Sequence, residues 1–227
     1  MIKLFHAASP NVFKVTIALE ELGLEYRLIP IDITKGEQFK PAFLSVSPNN
    51  RIPAIIDEDP VDNGPPIQLF ESGAILIYLA ERAGRLLPAD LRGRARVIQW
   101  VMWQMAGQGP MLGQAGHFRN YASEKIAYGI ERYTKEAARL YRVLDMQLAA
   151  QQFIAGDYSI ADIACWPWIL FRSHHGIELE EYPLLERWFR AVEARPAVRR
   201  GLGDFVVSAP PVFDAKTRAI LFNLEND

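Results

Sequence analysis

Residues 47–76 run SPNNRIPAIIDEDPVDNGPPIQLFESGAIL. Behind Pro53, the apolar run Ala54, Ile55, Ile56 predicts a short strand over 54–56. A polar turn around Asp62-Asn63-Gly64 leads to a second strand over 67–70. A helix then opens at Glu71 and runs to Ala83, with Gly84 placed to close it. Two strands joined this way pair antiparallel. Upstream, 2–5 is a strand. Residues 11–22 form a helix, with Val12, Val15, Ala18, Leu19 and Leu22 on one face and Gly23 at its end. A strand follows over 26–31, then a short helix over 38–44 broken by Pro41. The order is therefore βαβαββα. Its βαβ unit makes parallel strands and its hairpin adds antiparallel ones.

Downstream the texture changes. All five tryptophans lie beyond Pro88, and the elements lengthen. Residues 97–118 carry no Asp, Glu, Lys or Arg, but hold Gln99, Gln104, Gln108, Gln114 and four glycines with one proline. Buried amides are costly in lipid, so the expectation is a buried helix of a soluble protein running into a Gly-rich bend, not a membrane span. Residues 125–149 repeat apolar side chains at helical steps. Ser159-Ile-Ala-Asp162 is a capping-box variant opening a very apolar helix through Phe171. A further helix covers 183–194, and the tail from 204 packs over the surface or frays. The fold class is α/β plus all-α. Residues 1–84 make the first domain, 85–92 a linker, 93–203 an all-helical domain and 204–227 a tail.

Composition bounds the function. Of 227 residues, 50% are hydrophobic and 23% charged, which excludes wholesale disorder. A net charge of -2 leaves no nucleic-acid footprint and no polybasic membrane patch. The first residues lack the apolar core of a signal peptide. One cysteine, Cys165, excludes an internal disulfide, a CxxC pair and a Cys-rich zinc site, and suits a reducing cytoplasm. The four histidines have no metal-ligand spacing, so no metal is expected.

Three motifs in order across both halves resemble the cytosolic glutathione transferases. Ser47-Pro-Asn-Asn-Arg-Ile-Pro53-Ala is similar to that family's cis-proline segment, Phe70-Glu-Ser-Gly-Ala-Ile75 to its helix start, and Ser159-Ile-Ala-Asp162 to its folding cap. The resemblance covers residues 1 to about 200. Ser9-Pro-Asn11, Gly36-Glu-Gln38-Phe39, residues 104–114 and Ile130-Glu-Arg132-Tyr133 resemble the nu class and its relatives near the fungal nitrogen regulator. That resemblance implies a thioredoxin-like first domain and a homodimer. It also implies a glutathione-dependent disulfide-bond oxidoreductase lacking the catalytic tyrosine or cysteine of other classes. Ser9 stands where that class has threonine, keeping the hydroxyl and losing a methyl.

The site residues follow. Glutathione has an amine, two carboxylates and a thiol. The N–H groups at the helix start and the Ser72 hydroxyl suit its γ-glutamyl carboxylate, and Glu71 its amine. The plain alternative for this pair is a helix cap. Ile52, before a cis Pro53, would present its backbone to the cysteinyl residue as an added strand would. Arg51 either binds the glycyl carboxylate or is a solvated loop arginine; Gln38 adds a neutral donor, and Asn50 binds or only shapes the turn. Ser9 and Asn11 sit at a helix start, where a thioredoxin carries its two-cysteine motif at the positions of Ser9 and Val12. They can donate to a thiolate, and equally serve as caps. Neither is a base near neutral pH. By resemblance, Arg132 reaches a second glutathione or the second half of glutathione disulfide, with Tyr128 and Tyr133 flanking the cleft; otherwise it faces solvent. Gln104 is a weaker candidate. Cys165, inside Ile163-Ala-Cys-Trp-Pro-Trp168, is a core residue. The expected chemistry is thiol–disulfide exchange on a small disulfide using glutathione sulfur. The alternatives are transfer to an electrophile or peroxide reduction, and a non-catalytic regulatory protein. The fungal regulator carries an Asn-rich segment ahead of the domain, whereas this chain starts at strand one.

Overall fold

The computed structural model describes residues 1–222. Strand β1 (Ile2–His6) and helix α1 (Pro10–Leu22) come first. Ser9 caps α1, its Oγ accepting from Val12 N at 3.3 Å, and Gly23 closes it at φ +68°. Strand β2 (Tyr26–Pro30) pairs parallel to β1. A 3₁₀ turn follows at Ile33–Lys35, and the expected helix over 38–44 is a second 3₁₀ turn (Glu37–Phe39) and α2 (Pro41–Leu44). Pro41 starts α2 instead of interrupting it, because its missing N–H costs nothing in a first turn. Strands β3 (Ala54–Asp57) and β4 (Ile67–Phe70) form the predicted hairpin. β3 also pairs antiparallel to β1, which gives a mixed sheet in the order β2-β1-β3-β4. Helix α3 (Ser72–Ala83) ends at Gly84, φ +63°.

The second half is helical. Helix α4 (Leu91–Trp103) continues through a π-helical turn (Gln104–Gln108), α5 (Gly109–Gly116) and a second π turn (His117–Tyr121). The Gly-rich stretch thus stays helical where a bend was expected. Gly109 serves close packing: a Cβ there would stand 2.9 Å from the Gln104 amide nitrogen and 3.6 Å from the Trp168 ring. Leu112, Ala115 and Gly116 are buried, and tertiary burial outweighs weak helix propensity there. Helix α6 (Ala127–Gln147) follows, then α7 (Ile160–Leu170), α8 (Arg172–His175), α9 (Pro183–Glu193) and α10 (Pro196–Leu202). Helix α11 (Ala215–Phe222) packs back on the Ile33–Lys35 turn. The tail therefore covers surface as far as 222, and the rest of it lies outside the described residues. No helix among the described residues is long and apolar enough to cross a membrane.

One apolar core runs through both halves, from Ile2 and Leu4 to Trp188 and Val198. Helix α1 is its axis, packed on α3 within the first half and on α7 and α10 from the second. Gly201 of α10 makes the approach possible, since a Cβ there would lie 2.8 Å from the Ile17 backbone. Arg195 and Arg200 tie down the same contact through Glu21 and Glu20, at 2.6 and 2.7 Å.

The cap of α7 holds the helical half together. Asp162 is fully buried and accepts from Ser159 N (3.0 Å), Ile154 N (3.0 Å) and Trp188 Nε1 (2.8 Å). Removing it strands three buried donors, each worth about 1–3 kcal/mol. Asp162→Ala should lower unfolding free energy by about 3 kcal/mol or more in a urea titration. Glu131→Ala, which breaks only an exposed helix-surface pair with Lys135, should leave the midpoint unchanged.

Candidate functional site

Two helix N-termini define the site. At the start of α3, Glu71 holds φ +69°, a left-handed value unusual outside glycine and of the strained kind that gathers at functional sites. No side chain caps α3, so its first N–H groups stay open for a ligand. At the start of α1 stand Ser9 and Asn11. Between the two ends lies a cavity of about 520 Å³, a size suited to a small molecule.

Six of the ten predicted residues line this cavity: Asn11, Arg51, Ile52, Glu71, Ser72 and Gln104. The Ile52–Pro53 bond is cis. The Ile52 N–H and C=O make no hydrogen bond to another backbone group among the described residues, so both remain available for a strand-like partner. Arg51 is exposed, with Nη1 3.4 Å from the Leu221 carbonyl. Ser9 lies at the junction with a second cavity of about 390 Å³, which shares Gly113 and Trp168 with the first. Phe171, Phe205 and Phe213 line the second cavity, so it is mostly apolar.

The other three stand apart. Gln38 is buried behind the wall and donates to the Ile33 carbonyl at 3.2 Å. Asn50 shapes the turn at φ +48°, with its N–H on the Ser47 carbonyl, and the neighbouring Asn49 lines the cavity in its place. Arg132 is exposed on α6 and does not line the cavity of its own chain. Its neighbour Tyr133 stacks on Phe118 and Tyr128 is exposed, so neither flanks the cavity within this chain.

Two residues that carry the geometry escaped the sequence. Trp168 Nε1 donates to Asn11 Oδ1 at 3.0 Å. With its oxygen turned to the indole, the Asn11 amide has its N–H donors free to offer. Trp168 packs against the core, and its N–H reaches across 157 residues. Lys14 is 1% exposed and lines the cavity floor. Its Nζ donates to Ser72 Oγ at 3.1 Å and Gln104 Oε1 at 2.5 Å, with Met105 Sδ 3.6 Å away. Burial pushes its ammonium down to about 7, against the weaker opposite pull of the Cys165 thiol and Glu71. The signal was present: Lys14 is flanked by Phe13 and Val15 and sits three residues after Asn11, hence on the same helix face.

The sulfur chemistry has no protein source here. Cys165, the single cysteine, is fully buried, and burial pushes its thiol far up. His175 stacks on Trp168, and burial pushes it down to about 3, so it is neutral and no cation for a thiolate. No cluster of His, Cys, Asp or Glu fit to hold a metal ion occurs among the described residues.

Comparisons agree on one family. Residues 1–81 match the model of the glutathione S-transferase N-terminal domain, and 118–196 that of its C-terminal domain. The disulfide-bond oxidoreductase YfcG of Escherichia coli is 50% identical over 89% of this chain and 94% of its own length. A glutathione transferase of Burkholderia graminis, solved with two glutathione molecules per subunit, superposes with a TM-score of 0.84. It is 44% identical over 88% of this chain and 87% of that one. One from Pseudomonas putida, solved with one glutathione disulfide per subunit, also gives 0.84. It is 40% identical over 89% of this chain and 91% of that one.

The indole hydrogen bond can be tested by itself. Trp168→Phe keeps an aromatic ring and removes the N–H, freeing the Asn11 side chain to turn about its Cβ–Cγ bond. The Asn11 side-chain amide should give one dispersed pair of signals in nitrogen-edited NMR of the native protein. In the variant both signals should move toward the shifts of a solvated asparagine, still as two distinct protons because the amide C–N bond stays hindered, while the backbone spectrum away from α7 holds.

Proposed function

The chain belongs to the glutathione transferase family, and on that premise we propose that it is a glutathione-dependent thiol–disulfide oxidoreductase of nu type. The supporting observation is a cavity with two helix N-termini and no thiol. The sulfur that reacts must then arrive with the ligand. Residues 1–84 form the glutathione-binding domain, 85–92 the linker and 93–203 the helical domain.

In this scheme Ser72, the open α3 N-terminus and Glu71 hold the γ-glutamyl end. The Ile52 backbone pairs with the cysteinyl residue, and Arg51 and Asn49 meet the glycyl end. The thiol then lies at the start of α1. There the helix dipole, the Asn11 amide and the Ser9 hydroxyl favour the thiolate, the species that attacks. Thiolate attack on a small disulfide forms a mixed disulfide and expels one thiolate. A second glutathione thiolate attacks the glutathione sulfur of that intermediate, giving glutathione disulfide and the second reduced thiol. Two glutathiones are consumed per disulfide, one in each exchange. The protein acts as a homodimer in this scheme, and Arg132 is kept for the second glutathione or the second half of glutathione disulfide. Gln38 supports the wall, and Gln104 the floor. A cytoplasmic setting supplies the reduced glutathione that the reaction consumes.

A second reading is transfer of glutathione to an apolar electrophile, or peroxide reduction. It draws on the aromatic cavity beside Ser9, which is suited to a flat apolar acceptor. Parallel assays with a small disulfide and an aromatic electrophile separate the two. A non-catalytic regulator would turn over neither.

Three variants probe the cavity. Ser72→Ala should weaken glutathione binding by about tenfold in calorimetry, since a hydrogen bond to a charged group is worth about 1.5–3 kcal/mol. Asn11→Ala should lower disulfide turnover about tenfold, matching one lost bond of about 1.4 kcal/mol, without abolishing it. Cys165→Ser should leave turnover per folded molecule intact, although a core hydroxyl costs about 1–3 kcal/mol of stability. An inactive, well-folded Cys165→Ser enzyme beside a normal Asn11→Ala enzyme would overturn the cysteine-free scheme.

A further inference from the structure

A lysine with no carboxylate partner at the bottom of a ligand cavity needs a reason. Lys14 is 1% exposed, and among the described residues it forms no salt bridge. The nearest attractive groups are Glu71 at the head of α3 and the Cys165 thiol of α7. Neither is hydrogen-bonded to it, and the π turn packed on it offers only the uncharged Gln104 and Met105. An isolated buried charge is strongly disfavoured unless a counter-charge arrives.

The hydrogen bonds show where it would arrive. Lys14 Nζ donates to Ser72 Oγ, so the Ser72 hydroxyl proton is left to point elsewhere. It now faces Met105 Sδ at 3.5 Å, and a thioether is a weak acceptor. A carboxylate at the open N-terminus of α3 would take over that proton. It would also complete a chain from ammonium to hydroxyl to carboxylate.

We propose that Lys14 is a positioning residue for the γ-glutamyl carboxylate, acting through Ser72, and that ligand binding and protonation of this amine are one coupled event. The inference rests on the glutathione reading above. Its sign follows from linkage. In the free protein the amine loses its proton as pH rises past about 7. The bound carboxylate restores the charge, so binding takes up a proton above that pH. Affinity should be greatest below 7 and fall by up to about tenfold per pH unit above it.

Glutathione disulfide is the right probe, because it has no thiol whose ionisation would mask the effect. Calorimetric titrations of the wild-type protein at pH 7, 7.5 and 8, each in buffers of different ionisation heat, count the protons exchanged. Uptake rising toward one proton per site is expected, together with weaker binding at the higher pH. Lys14→Met should abolish the uptake and weaken binding at pH 7 by about tenfold or more. Lys14→Arg, charged throughout, should restore binding at pH 8 with no uptake. PH-independent affinity and zero uptake in the wild-type protein would overturn the inference, whatever the variants' folding. Failure of the disulfide to bind at any pH would instead remove the glutathione reading itself, and the inference with it.

Discussion

Helix α1 has almost no face left for water. Helix α3 covers one side, while α7 and α10 cover the other, and the strand residues Ile2, Leu4 and Ile55 share its apolar core. Residues 12 to 19 are buried without a break. Such a helix cannot shift without opening the core on both sides, so its N-terminus is a fixed point. Ser9 and Asn11 inherit that rigidity. The same constraint traps Lys14, whose stem would reach solvent on an ordinary surface helix. Glu20 and Glu21 escape at the far end and become the anchors for Arg200 and Arg195.

In the proposed scheme the arrangement separates two tasks that a thioredoxin-type site combines. Holding the ligand falls to the α3 N-terminus, where Ser72 and open N–H groups suit a carboxylate. Favouring a thiolate falls to the α1 N-terminus, where Asn11 offers its N–H donors. Both use the same physics, unpaired N–H groups aligned with a helix dipole. What differs is the charge to be held, permanent at one end and formed by ionisation at the other. A protein thiol at the α1 position would compete with the ligand's sulfur for the same donors. The chain has none there, and its single thiol is buried in the core.

Local signals made most of the fold legible. The apolar spacing of 11–22, the Asp62-Asn63-Gly64 turn, the Ser159–Asp162 cap and the closing glycines Gly23 and Gly84 each act within a few residues. Most therefore appear in the structure where the sequence put them. What was missed depends on contacts between distant segments. The stretch 104–116 was expected to bend because glycine and proline weaken a helix. Whether they break it is decided by Trp168 and the core, about 60 residues further on. Asn50 and Asn49 are the same residue type side by side. Only the left-handed backbone at Asn50 decides which one shapes the turn and which faces the cavity. Arg132 is legible as a cation on an amphipathic helix, and no signal within one chain says what it meets.

Trp168 shows how the two halves become one site. Asn11 belongs to the first half, yet the indole that fixes its amide belongs to α7 of the second. An unfixed amide presents oxygen or nitrogen with similar ease, and oxygen facing a thiolate would repel it. The sign of that interaction is therefore set by the position of α7 relative to α1. The contact is held in turn by the continuous core and by Gly201 against Ile17. In the proposed scheme, packing that looks remote from the chemistry thus decides whether a neutral side chain helps or hinders the sulfur. A helical half fused to a thioredoxin-like half does more than enclose an acceptor: it gives a cysteine-free helix start its polarity.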